Sequence, residues 1–246
     1  MAGMVRGRVL FTWSGGKDSA MALYKLLESR DYEVVALLTT LTREYGRVSM
    51  HGVREVLLEE QADSIGLRLE KIYIARGSSN EDYDARMREA LTRYRRLGVS
   101  AVAFGDILLE DVRRYREESL SKIGMKALFP IWGRDTAKLA REFIDLGFKA
   151  IVTCVDSKSL DRRFVGRIYD EEFLRDLPTG VDPCGENGEF HTFVYDGPIF
   201  RRRIRFRVGG IVFRDNRFYF CDLIPVSYTH LRAHETEADL VCRLLL

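Results

Sequence analysis

Two periods alternate along the chain. The run Val9-Leu10-Phe11-Thr12-Trp13 reads as a strand, and Ala20, Met21, Leu23, Tyr24, Leu26 and Leu27 then recur at helical spacing. Residues 33–39 form a second, β-branched run without polar alternation, which suits a strand covered on both faces. A helix is expected over about 52–65, with Val53, Val56, Leu57, Gln61, Ala62 and Ile65 on its inner face and Gly66 closing it. Strands at 69–74, 100–104 and 127–129 alternate with helices at 81–97 and 112–123. Asp135 should cap a further helix ahead of a strand at 150–155.

Alternating strands and helices joined by right-handed crossovers predict an α/β fold built on a doubly wound parallel sheet. Ligands of such sheets gather beyond the strands' carboxyl ends. Polar residues stand at those places: the loop Ser14-Gly15-Gly16-Lys17-Asp18-Ser19, then Thr39 and Thr40, then Gly105 and Asp106, and Asp156 after the last strand. From about 177 the texture becomes rich in turns, acids, an amide and an imidazole. Short strand patterns come next at 192–195, 201–208, 211–214 and 218–223, predicting a small C-terminal α+β unit. The arginines from 201 to 207 alternate with Ile204, Phe206 and Val208, as a strand with one wet face would; RNA binding is the alternative. The expected division is 1–156 for a nucleotide domain, 157–225 for an acceptor subdomain and 226–246 for a tail.

Composition narrows the class. The 246 residues are 46% hydrophobic and 31% charged, which allows one full core and excludes disorder. The 39 basic and 37 acidic residues give a net charge of +2, so charge does not call for nucleic acid. Neither a membrane span nor a signal-peptide core is visible, and a cytoplasmic protein is expected. The four cysteines lack a C-x-x-C pair, which argues against a disulfide framework or a closed zinc site.

The chemistry begins at residues 14–19. Two glycines permit a tight turn that aims backbone N–H groups at one anion, Lys17 adds charge, and a helix N-terminus points the same way. A Walker A loop needs a glycine where Phe11 stands and Ser or Thr where Asp18 stands, and the dinucleotide fingerprint needs a third glycine. SGGKDS after a first strand resembles instead the PP-loop of N-type ATP pyrophosphatases, which cleave ATP between its α and β phosphates.

Together with GENGEFHT at 185–192, that loop resembles the diphthine–ammonia ligase family, the ATP-binding domain of diphthamide synthase. Agreement runs from about Arg8 to Pro225 through Met50-His51, Gly105-Asp106-Ile107, Pro130-Ile131-Trp132 and Gly147-Phe148. The resemblance implies adenylation of the carboxylate of diphthine, a modified histidine of translation elongation factor two, and displacement of AMP by ammonium. It implies that Ser14, Gly15, Gly16, Lys17, Asp18 and Ser19 hold the pyrophosphate, with Asp18 as a Mg²⁺ ligand. Thr39, Thr40, His51, Gly105 and Asp106 complete the ATP site, while Glu186 and Glu189 serve as candidate bases or substrate orienters. No glutaminase nucleophile is visible, so free ammonium is the expected nitrogen donor; a homodimer is admitted. Asn187 and His191 stand where the ligases have glycine and glutamate, the form of a bacterial branch. Adenylation of another carboxylate or metabolite, or a sensor that holds ATP or AMP without turnover, are the alternative readings.

The pattern ends near Pro225, and the remainder resembles translated adapter read-through. A terminal helix with Leu240, Val241, Leu244 and Leu245 on one face is the other reading. His230, His234 and Cys242 are not expected to form a metal site.

Overall fold

The computed structural model describes residues 7–44, 46–48 and 51–226; Met50 and the tail from 227 onward lie outside them. The first half of the chain runs β1 (Gly7–Thr12), α1 (Lys17–Ser29), β2 (Tyr32–Thr42), β3 (Arg47–Val48), α2 (Glu55–Ile65) and β4 (Leu69–Ile74). It continues with α3 (Asn80–Arg96), β5 (Ala101–Ala103), α4 (Glu110–Ser121) and β6 (Lys126–Leu128). Strands β4, β2, β1, β5 and β6 lie side by side in that order, all parallel, and β3 turns back antiparallel onto the end of β2. This is the doubly wound α/β sheet that the alternation predicts.

Both faces of the sheet are covered, which is why its strands read as unbroken apolar runs. In β1, Val9 and Phe11 enter the core shared with α1 and α2, while Leu10 enters the core shared with α3. All three are fully buried, each worth about 1.5–3 kcal/mol relative to exposure.

The second half runs α5 (Thr136–Asp145), β7 (Lys149–Asp156), β8 (Ile168–Tyr169), α6 (Glu171–Asp176), β9 (Phe190–Asp196), β10 (Phe206–Arg214) and β11 (Phe218–Pro225). Asp135 caps α5 as expected, accepting from the Lys138 N–H at 2.8 Å. Here the layout departs from expectation. Strand β7 does not extend the parallel sheet; it is the middle of a second, antiparallel sheet, paired with β9 on one side and with β8 and β11 on the other. A division at 156 would therefore part β7 from the other four strands of this sheet. A fully apolar run looks the same in either kind of sheet, so periodicity cannot name its partners.

Two further expectations change. Residues 201–205 form no strand, because Arg202 turns aside to pair with Glu60 and Asp63 on α2, and the expected strands at 201–208 and 211–214 become the single bulged strand β10. On α2, Val56 is 49% exposed and Leu58 fully buried, so the inner face is rotated from the one expected. Among the described residues no helix is long and apolar enough to cross a membrane.

Candidate active site

The carboxyl ends of the parallel strands open onto a cleft of about 680 Å³. One wall is the β1–α1 loop. Gly15 adopts φ +80°, and a Cβ there would lie 2.8 Å from Gln61 Oε1, so both conformation and space exclude a side chain. The Gly15 carbonyl turns away from the cleft to accept from the Val194 N–H at 2.9 Å and from Gln61 Nε2 at 3.1 Å. Gln61 also accepts from Trp13 Nε1 at 2.8 Å, so one fully buried amide joins α2 to the strand and the loop beside it. Gly16 is the N-cap of α1 without a side-chain cap, which leaves the start of a 13-residue helix facing the cleft.

Lys17 is 3% exposed. Its Nζ donates to both Asp18 carboxylate oxygens, at 2.9 and 2.8 Å, and to the Cys184 carbonyl. Burial opposes its charge, but Asp18 beside it outweighs that penalty and keeps the ammonium protonated above its ordinary range. Gly105 lets the loop after β5 close on this helix: a Cβ there would sit 3.0 Å from the Ser19 backbone nitrogen. The neighbouring Asp106 pairs with Arg116, whose Nε lies 2.9 Å from Oδ2 and whose guanidinium stacks 4.2 Å from the centre of the Phe104 ring. Burial raises the Asp106 pKa, and Arg116 restrains the shift.

The opposite wall comes from residues 184–192 of the second half. Thr192 joins the two walls, its Oγ1 accepting from the Lys17 N–H at 3.0 Å and its carbonyl lying 3.3 Å from His51 Nδ1. Glu186 lines the cleft with Oε2 shielded and without a hydrogen-bond partner among the described residues, and burial, reinforced by the Asp18 charge, pushes its pKa up to about 7. Three carboxylates, Asp18, Asp106 and Glu186, thus share one cleft with one buried lysine.

Of the residues expected here, Ser14, Lys17, Asp18, Ser19, Thr39, Thr40, His51, Gly105, Asp106 and Glu186 all line the cleft, and Gly15 and Gly16 shape the loop behind it. Two expected residues do not reach it. Glu189 is 5% exposed, and its carboxylate turns inward to accept from the Asn187 N–H at 2.9 Å, Asn187 Nδ2 at 2.9 Å and the Asp182 N–H at 3.1 Å. In this position its carboxylate clamps its own loop and is turned away from the cleft. Asp156, at the end of β7 in the other sheet, is held by Arg217 at 2.6 Å.

Sequence reasoning misses Tyr83, Arg116 and Gln61 as residues of the site. Tyr83 and Arg116 lie on polar helices whose charge pattern reads as solvated. Gln61 does carry a signal, a lone amide on an apolar helix stripe.

Two family models match the chain, one described as the diphthamide synthase N-terminal domain over residues 7–127 and one as the diphthamide synthase C-terminal domain over 135–222. The gap between them falls where the chain passes from β6 to α5. A diphthine–ammonia ligase of Schizosaccharomyces pombe is 30% identical over 219 residues, covering 80% of this chain and 36% of its own length. One of Danio rerio is 29% identical over 261 residues, covering 97% of this chain and 100% of its own. The Homo sapiens protein of that name is 34% identical over 112 residues, 43% of this chain and 42% of its own. The chain thus spans about a third of the fission-yeast relative. Among solved structures, a chain described as a predicted subunit of tRNA methyltransferase from Methanocaldococcus jannaschii is 17% identical, covers 80% of this chain and 100% of its own, and has a TM-score of 0.41.

Proposed function

The chain belongs to the diphthamide synthase family, and from that premise we propose that it binds ATP, activates a carboxylate as an acyl-adenylate and replaces AMP with ammonia to form an amide. The acceptor on this reading is diphthine, carried by translation elongation factor two, in keeping with the name of the relatives. A carboxylate is a poor acyl donor; its adenylate offers AMP as leaving group and a carbonyl open to an amine.

The carrying observation is the convergence of the β1–α1 loop, Lys17, the three carboxylates and the 184–192 loop on one cleft. Backbone N–H groups at the start of α1, with Lys17, would hold the pyrophosphate and oppose the charge that grows as it departs. Lys17 would first have to exchange Asp18 for phosphate oxygens. Thr39, whose shielded Oγ1 has no partner among the described residues, and Thr40 would border the nucleoside.

Asp18, freed by that exchange, would be a ligand of a magnesium ion offsetting phosphate charge. Among the described residues no preformed group of three or more metal-binding side chains exists, which suits an ion that takes most of its ligands from phosphate and water. Glu186, poised at about 7, is suited to take a proton from the incoming ammonium at neutral pH.

The test is pyrophosphate release from ATP with ammonium and diphthine-bearing elongation factor, coupled to detection of the amide. Release that depends on both co-substrates supports the reading. Release only with another acid reassigns the acceptor, and nucleotide binding without release leaves the sensor alternative.

A further inference from the structure

Two histidines from opposite halves of the chain meet in the cleft. The rings of His51 and His191 lie 4.6 Å apart at 40°, and a Cβ on Gly16 would stand 3.0 Å from His51 Cε1, so the pair rests against the glycine loop. His51 Nδ1 faces the Thr192 carbonyl, which can only accept, so Nδ1 carries the hydrogen and Nε2 holds the basic lone pair. His191 Nε2 is shielded from solvent with no partner among the described residues. Such a nitrogen is costly unless a ligand supplies its partner.

The surroundings keep both rings neutral while the cleft holds no anion. Burial lowers the His51 pKa to about 4 and the His191 pKa well below its ordinary value, and Lys17 at the head of α1 pushes both the same way. Asp18 from α1, Asp106 after β5, Tyr83 on α3, Arg116 on α4 and Glu186 from the far loop line the same cleft. A polyanion seated on the glycine loop would neutralise Lys17 and reverse the field at the rings. Two rings this close accept one proton between them, since a second would place like charges side by side.

We propose that His51 and His191 act as one proton-accepting pair that binds the pyrophosphate end of the nucleotide in singly protonated form. This rests on the reading of the cleft as an ATP site and adds a binding group to it. Nucleotide affinity then falls as pH rises, because the proton must be taken up with the ligand.

The test uses inorganic pyrophosphate and the full chain with ¹⁵N-labelled histidine. At pH 7 the imidazole nitrogens of both residues should show neutral signatures, and saturating pyrophosphate should convert one or both to an averaged imidazolium signature. Calorimetry in two buffers of different ionisation enthalpy should show about one proton more taken up by the wild type than by His51→Gln or His191→Gln, each binding about tenfold more weakly. Glu186→Gln should lose no more than about half a proton of that uptake, since Glu186 is already about half protonated at pH 7. Pyrophosphate binding with unchanged ring signals, or uptake lost in Glu186→Gln and kept in both histidine variants, overturns the pair while leaving the ATP site standing. No binding to the wild type overturns both.

Discussion

On one wall of the cleft, residues 14–19 are held from outside: Val194 and Gln61 grip the Gly15 carbonyl and Thr192 receives the Lys17 N–H. On the other, residues 182–189 add a clamp of their own, Glu189 gathering three donors of its loop, to the outside ties that Tyr169 makes to the Pro183 carbonyl and Thr136 to Asp182. The first arrangement sets the charged side chains of the motif along the cleft, where Lys17 and Asp18 hold each other. The second turns one glutamate inward as scaffold and leaves the other, Glu186, lining the cleft. Two acids three positions apart in one motif therefore differ in setting, one facing the cleft and one its own loop.

The sharpest attack on the first wall is Lys17→Ala, which should cut pyrophosphate release by about a hundredfold to a thousandfold, because the lysine opposes charge that appears as pyrophosphate leaves. Steady-state assay with circular dichroism to confirm folding checks this. Retention of wild-type release would remove the lysine from the phosphate site.

Next comes Glu189→Gln on the second wall. One carbonyl oxygen cannot serve three donors spread over two carboxylate oxygens, so about 1–3 kcal/mol of stability should go, and turnover with it. Chemical denaturation and turnover should report parallel losses. Full stability with lost turnover would return Glu189 to a chemical role.

Glu186→Gln should separate the two acids. Burial and Asp18 raise the Glu186 pKa to about 7 in the folded state, so the folded protein holds a proton that the unfolded chain releases earlier. Wild-type stability should therefore fall as pH rises from about 4.5 to 7, and the variant should lose that slope. Its turnover should also lose the rise through pH 7 expected of a base. A variant with the wild-type slope in both measurements would contradict the assignment.

The smallest effect belongs to a tie between the halves. Asp222 on β11 binds Arg47 at 2.9 Å and Arg54 at 2.7 Å, residues flanking the turn that carries His51. These arginines, Arg54 foremost, lower its pKa to about 2, so its contribution is present above about 3.8 and is lost as pH falls through about 2. Asp222→Asn should cost about 1 kcal/mol at pH 7 and flatten that acid limb in a thermal scan.

The element order was readable because helix and strand leave different periods in the sequence, and the β1–α1 loop because its chemistry is local: adjacent glycines, a lysine and an acid directly after a buried strand. Asp106 was readable for a related reason, since a parallel sheet brings the carboxyl ends of its strands to one edge; Thr39 and Thr40, expected after β2, lie within its last residues and line the cleft from there.

Pairing is different. The apolar run of β7 fits a parallel or an antiparallel neighbour equally, and only the whole fold seats it between β9 and β11. The same holds for side-chain direction in the 182–192 loop, where nothing in the order of residues distinguishes a carboxylate turned inward from one turned toward the cleft. That His51 meets His191 from the other half of the chain, and that Gln61 meets Gly15, are likewise facts of tertiary packing. Short-range chemistry is written in the order of residues, whereas burial, and with it charge state and role, exists only once distant segments exclude water from one another.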